Sequence, residues 1–124
     1  MKRHLILVGL PGSGKSTVGR LVAERLGAAF IDVDAIIIRR MQMPVARIFG
    51  EFGEIRFREL EREAMETTLA GEPAVISPGG GWASQPGALE TAAGRAYVIF
   101  LRTLVTTALN RVDEGELRPL LDGE

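Results

Sequence analysis

A lysine and three hydroxyls stand at fixed spacing in residues 9–17, Gly-Leu-Pro-Gly-Ser-Gly-Lys-Ser-Thr. Gly-x4-Gly-Lys-Ser/Thr is the spacing of a phosphate-binding loop. Glycines let successive backbone N–H groups turn inward and form a nest for anionic oxygens. A helix that starts at the loop's end adds the positive pole of its dipole. Gly12, Ser13, Gly14 and Thr17 then cradle the phosphates of a nucleotide. Lys15 reaches its β- and γ-phosphates, and the Ser16 hydroxyl binds Mg²⁺. A ligand-free glycine turn has no use for a lysine and a hydroxyl at these places. Of the fifteen basic residues only Lys2 and Lys15 are lysine, which sets Lys15 apart from the arginine-rich background.

Other groups have types suited to the same chemistry. Asp32 and Asp34 flank Val33 just past a short apolar run. Strand residues two apart point the same way, so both carboxylates are expected to face the nucleotide. One can hold Mg²⁺ through water, and the other can orient an alcohol or take its proton. The competing reading is that either aspartate caps the following helix. Gly79, Gly80 and Gly81 follow another apolar run. Three glycines cost conformational entropy and make sense where backbone passes close to a ligand. Arg58, Glu61 and Arg62 share a helix face, which an ordinary solvated ion-pair face explains. Arg118 lies between Gly115 and Gly123, as on a flap that brings an arginine to developing charge; a frayed end is the alternative. Trp82 either lines the glycine pocket or covers the core edge. His4, the single histidine, is expected at a strand edge and not in catalysis.

The elements that must position these groups alternate. Strands are expected at 4–8, 28–31, 74–77 and 96–101. Helices are expected at 15–26, 35–40, 44–49, 54–69, 88–93 and 103–111, with a break at Gly50 and Gly53. The first helix is expected to bury Val18, Leu21, Val22 and Leu26. The pattern implies right-handed crossovers and a parallel sheet with helices on both faces. Ligands on such a sheet bind at the carboxyl ends of the strands. The glycine loop, Asp32/Asp34 and the triple glycine all follow strands, so they should meet at one edge.

At 124 residues the chain is large enough for one domain and too small for two. Its net charge of -1 provides no basic field and argues against nucleic acid. It has no cysteine, so neither disulfides nor thiolate metal sites are expected. No apolar run approaches the roughly 20 residues of a membrane span. Residues 1–4 run straight into the first strand without signal-peptide shape, so a cytoplasmic location and no membrane partner are expected.

The ordered set resembles the shikimate kinase family: the glycine loop, Asp32/Asp34, Ile48-Phe49, Gly53-Glu54, Phe57-Arg58, Glu61, the triple glycine, and Arg118-Pro119-Leu120-Leu121 as a lid. The resemblance runs along essentially the whole chain. It implies the P-loop kinase fold and ATP-dependent phosphorylation of the 3-hydroxyl of shikimate in aromatic amino-acid biosynthesis, by a monomer. It also implies roles. Ser16, and Asp32 through water, serve Mg²⁺. Asp34 binds the substrate hydroxyls and is the candidate base. Arg58 pairs with the shikimate carboxylate, and Gly79, Gly80 and Gly81 line the substrate. Lys15 and Arg118 stabilise the transferring phosphoryl group, and Arg111 stacks on adenine. Residues 33–62 form the substrate-binding helices and 112–124 an incomplete lid. Ile38, Gln42 and Pro44 depart from the family pattern of glutamate, glycine and serine. The family's C-terminal strand and helix, and a second substrate-binding arginine, are missing, so weak or absent catalysis is expected. The rival expectations are a gluconate kinase and a non-catalytic ligand-sensing module of the same fold.

Overall fold

The run Leu5-Ile6-Leu7-Val8 is apolar on both faces because it is covered on both. It forms β1 (His4–Gly9) in the interior of a four-stranded sheet. The computed structural model describes residues 1–9 and 15–101. Chain order continues with α1 (Lys15–Leu26), β2 (Phe30–Asp32), α2 (Val33–Met41), α3 (Val45–Ala70), β3 (Val75–Ser77), a 3-10 turn (Trp82–Ser84), α4 (Ala88–Ala92) and β4 (Ala96–Leu101). The strands lie in the order β2-β3-β1-β4, and every pair is parallel. The expected α/β class and parallel sheet are therefore present. Gly12, Ser13, Gly14, Arg111, Arg118, the helix expected at 103–111 and the lid at 112–124 lie outside the described residues.

Strand alternation sorts the core onto the two faces. Leu7 and Val75 point to α1, where they meet Val18 and Ala23. Ile6 and Ile76 point the other way, into a larger core with Val33, Ile37, Ile48, Phe57, Leu60 and Trp82. Of the expected α1 stripe only Val18 is buried, and Leu21 and Val22 are half-buried. Leu26 is 49% exposed, and Ala23 is buried in its stead. Gly19 faces the Phe30 ring with no room for a side chain between them, which draws α1 down onto β2. The helix closes with the N–H of Gly27 on the Glu24 carbonyl and that of Ala28 on the Ala23 carbonyl, the paired bonds of a Schellman ending.

His4 heads the buried strand and is 3% exposed. Its Nδ1 accepts the Ala74 N–H at 3.0 Å, so Nε2 carries the hydrogen and donates to the Leu69 carbonyl at 3.1 Å. The ring thus ties the starts of β1 and β3 to the end of α3. It sits at the opposite end of the sheet from the glycine loop, which accords with a structural role.

Several boundaries shift by one residue, and three elements differ by more. The second strand covers Phe30–Asp32, not 28–31. The helix expected at 35–40 starts at Val33 and runs to Met41. The helices expected at 44–49 and 54–69 abut as α3, and the break falls at Gly53 alone, with Gly50 inside the first half. Gly53 has φ 84 and ψ 166, a region open to glycine and closed to side chains. It re-aims the chain between Val45–Phe52 and Glu54–Ala70, and both halves reach the larger core, Ile48 from the first and Phe57 and Leu60 from the second.

α2 ends at Gln42 in the left-handed conformation, φ 55 and ψ 39, with its N–H on the Ile38 carbonyl. A side chain there costs about 1–2 kcal/mol, and glycine gives back roughly 0.5–1 kcal/mol of that in unfolded-state entropy. Gln42→Gly should therefore stabilise the fold by about 0.5–1 kcal/mol. A raised urea midpoint at unchanged slope checks this, and a lowered midpoint contradicts it.

Candidate functional site

The carboxyl ends of β1, β2 and β3 carry the chemistry together. Gly9 ends β1, Asp32 pairs in register with Ser77 across β2 and β3, and the triple glycine follows Ser77 directly. Lys15 opens α1 and donates from Nζ to the Gly9 carbonyl at 2.7 Å. Ser16 and Thr17 are exposed on the first turn of α1, at the positive end of the helix.

The alternation argument for Asp32 and Asp34 does not hold, because the strand stops at Asp32 and Val33 is already helical. Asp32 is the helix cap, accepting the Ala35 N–H on Oδ1 at 3.3 Å; this is the competing reading of the sequence. Its second oxygen stays available. Asp34, in the first turn of α2, reaches the site by helix geometry instead. A Cβ placed on Gly79 would sit 2.9 Å from Asp34 Oδ1 and 2.6 Å from Glu61 Oε2. Two carboxylates therefore converge on the bare Cα of Gly79.

The other wall comes from α3 beyond Gly53. Arg58 Nη1 donates to Glu61 Oε1 at 3.0 Å, with the side chains 17% and 1% exposed. This pair replaces the solvated face expected from spacing, and Arg62 stands apart from it as an exposed residue. The Arg58 guanidinium fills the space beside Gly81, where a Cβ would lie 2.5 Å from Nη2. Phe57 stacks on Phe49, with ring centroids 4.5 Å apart, and the guanidinium lies 5.4 Å from the Phe57 centroid. Gly79 and Gly81 are thus glycine because site side chains occupy the place of a Cβ. Gly80 meets nothing within 4 Å and faces solvent. Trp82 turns into the core at 3% exposure.

Among the described residues, three buried side-chain atoms lack a hydrogen-bond partner: Asp34 Oδ1, Arg58 Nε and Glu61 Oε2. Buried polar atoms are ordinarily satisfied. Their gathering in one place, one donor and two acceptors, is the signature of a site built for a polar guest. Burial, and then the charge of Asp32, raise the Asp34 carboxyl above the usual aspartate range, against the pull of Lys15 and Arg58. Burial likewise raises Glu61, against its bond to Arg58. Glu61 is the residue sequence reasoning left out of the site. The signal was present, since Glu61 falls four residues after Phe57, on the apolar stripe of the helix.

A strand and a helix flanking residues 10–14, which carry the phosphate-loop spacing in the sequence, stand beside this pocket at the carboxyl edge of a parallel sheet, as in the P-loop small-molecule kinase class. Within it, the family model for shikimate kinase matches residues 11–124. The shikimate kinase of Mycobacterium avium is 43% identical over 99% of this chain and 69% of its own length. The shikimate kinase of Chlorobium chlorochromatii is 42% identical over 97% of this chain and 63% of its own length. A solved shikimate kinase from Acinetobacter baumannii, in complex with shikimate, superposes with a TM-score of 0.81 at 36% identity, over 96% of this chain and 66% of that one. The chain belongs to the shikimate kinase family. It spans about two thirds of the length of these relatives. A gluconokinase from Sinorhizobium meliloti shares the fold at 23% identity and a TM-score of 0.60, a weaker likeness than that to the shikimate kinases.

Proposed function

We propose that this chain carries the nucleotide and substrate sites of an ATP-dependent kinase acting on the 3-hydroxyl of shikimate. The observation that carries the reading is the convergence of Asp34 and the Arg58 guanidinium beside Gly79 and Gly81, with Asp34 Oδ1 and Arg58 Nε lacking hydrogen-bond partners among the described residues. A small anionic polyol needs a guanidinium fork for its carboxylate and a carboxylate for its hydroxyls. Both are present, and the relatives are shikimate kinases, one of them solved with shikimate bound.

In this reading Arg58 holds the shikimate carboxylate, and the backbone of Gly80 and Gly81 borders the ring. Asp34 accepts the proton of the attacking hydroxyl, for which its raised carboxyl is a stronger base than an ordinary aspartate. Lys15 leaves the Gly9 carbonyl for the phosphates of ATP. Gly12, Ser13, Gly14 and Thr17 take the remaining phosphate contacts, Arg111 the adenine, and Arg118 the transferring group. Ser16 directly, and Asp32 through water, would hold Mg²⁺, a hard cation that takes few protein ligands and keeps several waters. Mg²⁺ supplies neutralisation of phosphate charge. Residues 33–62 form the substrate-binding part and 112–124 the lid of a monomeric, cytoplasmic enzyme.

The test is ADP release by the chain with MgATP, with and without shikimate, beside Lys15→Ala, together with shikimate binding followed through the single tryptophan, Trp82. Shikimate-dependent release lost in Lys15→Ala is the expected result. A folded chain that neither responds to shikimate nor binds it overturns the reading. Turnover also carries a pH signature. Because Asp34 titrates above the usual range, activity should fall on acidification at a higher pH than an ordinary aspartate would give. Asp34→Asn should lower kcat by about 10²–10⁴-fold and remove that acid limb; a retained limb contradicts the assignment of the base.

A further inference from the structure

Behind Glu61, on the side away from Arg58, a second cavity of about 380 Å³ opens between α3 and the Trp82–Ala88 stretch. Its floor is apolar: Met65, Leu69, Trp82, Pro86 and Ala88. Its charges are unevenly engaged. Glu61 is held by Arg58 at 3.0 Å, Glu63 by Arg40 at 3.0 Å and Glu66 by Arg95 at 2.9 Å. Each of those arginines stands outside the cavity lining. Arg62 lines the cavity, is exposed, and among the described residues has no carboxylate within ion-pair distance. Among the described residues, the lining charge outside any close ion pair is therefore a guanidinium above an apolar floor, with Glu61 the carboxylate whose charge it feels.

We propose that this groove binds a small apolar carboxylate, its body on Met65, Leu69 and Trp82 and its anionic group on Arg62. The volume lies at the small end of ligand pockets, which fits one or two rings. Each lining carboxylate has an arginine partner, which offsets part of the repulsion an anion meets, and Arg62 offers the planar fork that carboxylates prefer. Such a ligand would touch Glu61, the same side chain that holds Arg58, so the groove and the substrate pocket share a wall.

The probe is 3-phenylpropionate, titrated into the ¹⁵N-labelled chain and followed by amide shifts, with 3-phenylpropanamide as the uncharged control. Saturable shifts at Leu69, Gly87, Ala88 and Thr91 are expected. Binding should be about tenfold weaker for the amide and for Arg62→Gln. Arg62 is exposed, and an otherwise unchanged amide spectrum confirms that the variant is folded. Shifts centred on Arg58 and residues 79–81 overturn the proposal, because they place the carboxylate in the neighbouring site. Absence of saturable shifts overturns it, and so does equal affinity for acid and amide or for the parent and Arg62→Gln.

Discussion

Arg58→Leu should cost about 2–4 kcal/mol of folding stability as well as abolishing shikimate binding. Removing one partner of a buried ion pair leaves the other charge uncompensated, at roughly 3–5 kcal/mol when both are fully buried. Arg58 keeps 17% exposure and Glu61 keeps 1%, so water relieves the arginine end and the estimate is set lower. What remains is a glutamate with its Oε1 newly orphaned beside an Oε2 that is already unpartnered. For that reason the second substitution Glu61→Gln, destabilising by itself through the lost pair, should recover most of the loss when added to Arg58→Leu. The double variant should stay unable to bind shikimate.

The pH dependence separates this account from a plain packing defect. Burial already raises Glu61 in the parent, and loss of Arg58 removes the two influences of that arginine that lower it. A carboxyl whose folded pKa exceeds its unfolded value makes the folded state bind protons more tightly. Stability then declines as pH rises through the gap between the two values and is restored below the unfolded one. The deficit of Arg58→Leu relative to the parent should thus be full near neutrality and shrink as pH falls toward the ordinary glutamate range. Urea unfolding of both proteins across acidic and neutral pH checks this. A deficit that is constant with pH would mean that the arginine stem, and not its charge, is what the core misses.

The contrast between Asp34 and Glu61 shows what the sequence could and could not disclose. The strand and helix order, the all-parallel sheet and the edge where the loops meet were legible. They follow from apolar runs of strand length and from the spacing of Val18, Phe57, Leu60 and Ala64, which one-dimensional periodicity records. Side-chain direction at the strand-to-helix junction was not. Asp32 and Asp34 obey period two if the strand continues and helical geometry if it stops, and only the Asp32 bond to the Ala35 N–H decides. Arg58 and Glu61 fit a solvated ion pair equally well by spacing. Their burial is set by residues 79–81, some twenty positions away, which no local pattern reports. Gly50 and Gly53 look alike in sequence, yet only Gly53 adopts a conformation that requires glycine.

The three glycines that close the pocket should separate in the same way when each is made alanine. At Gly79 the new Cβ falls 2.6 Å from Glu61 Oε2 and 2.9 Å from Asp34 Oδ1. Glu61 is enclosed and already committed to Arg58, so it cannot swing aside. Gly79→Ala should cost about 1–3 kcal/mol, the scale of overpacking in a well-filled interior, and should also lose shikimate. At Gly81 the Cβ meets the guanidinium of Arg58, the far end of a flexible side chain with some access to solvent. Arg58 can yield, so Gly81→Ala should fold almost as well as the parent. Displacing the carboxylate fork should nevertheless weaken shikimate binding by about 10- to 100-fold, the worth of a charge-assisted hydrogen bond. At Gly80 nothing lies within 4 Å and φ is not in the left-handed region. Gly80→Ala should gain about 0.4–1 kcal/mol through the unfolded state. Urea midpoints and Trp82-monitored shikimate titrations of the three variants give the two rankings. If Gly81→Ala binds as the parent does while Gly79→Ala folds normally, then Asp34, Arg58 and Glu61 do not hold the shikimate site in the positions described, and the assignment of Arg58 to the substrate carboxylate falls with it.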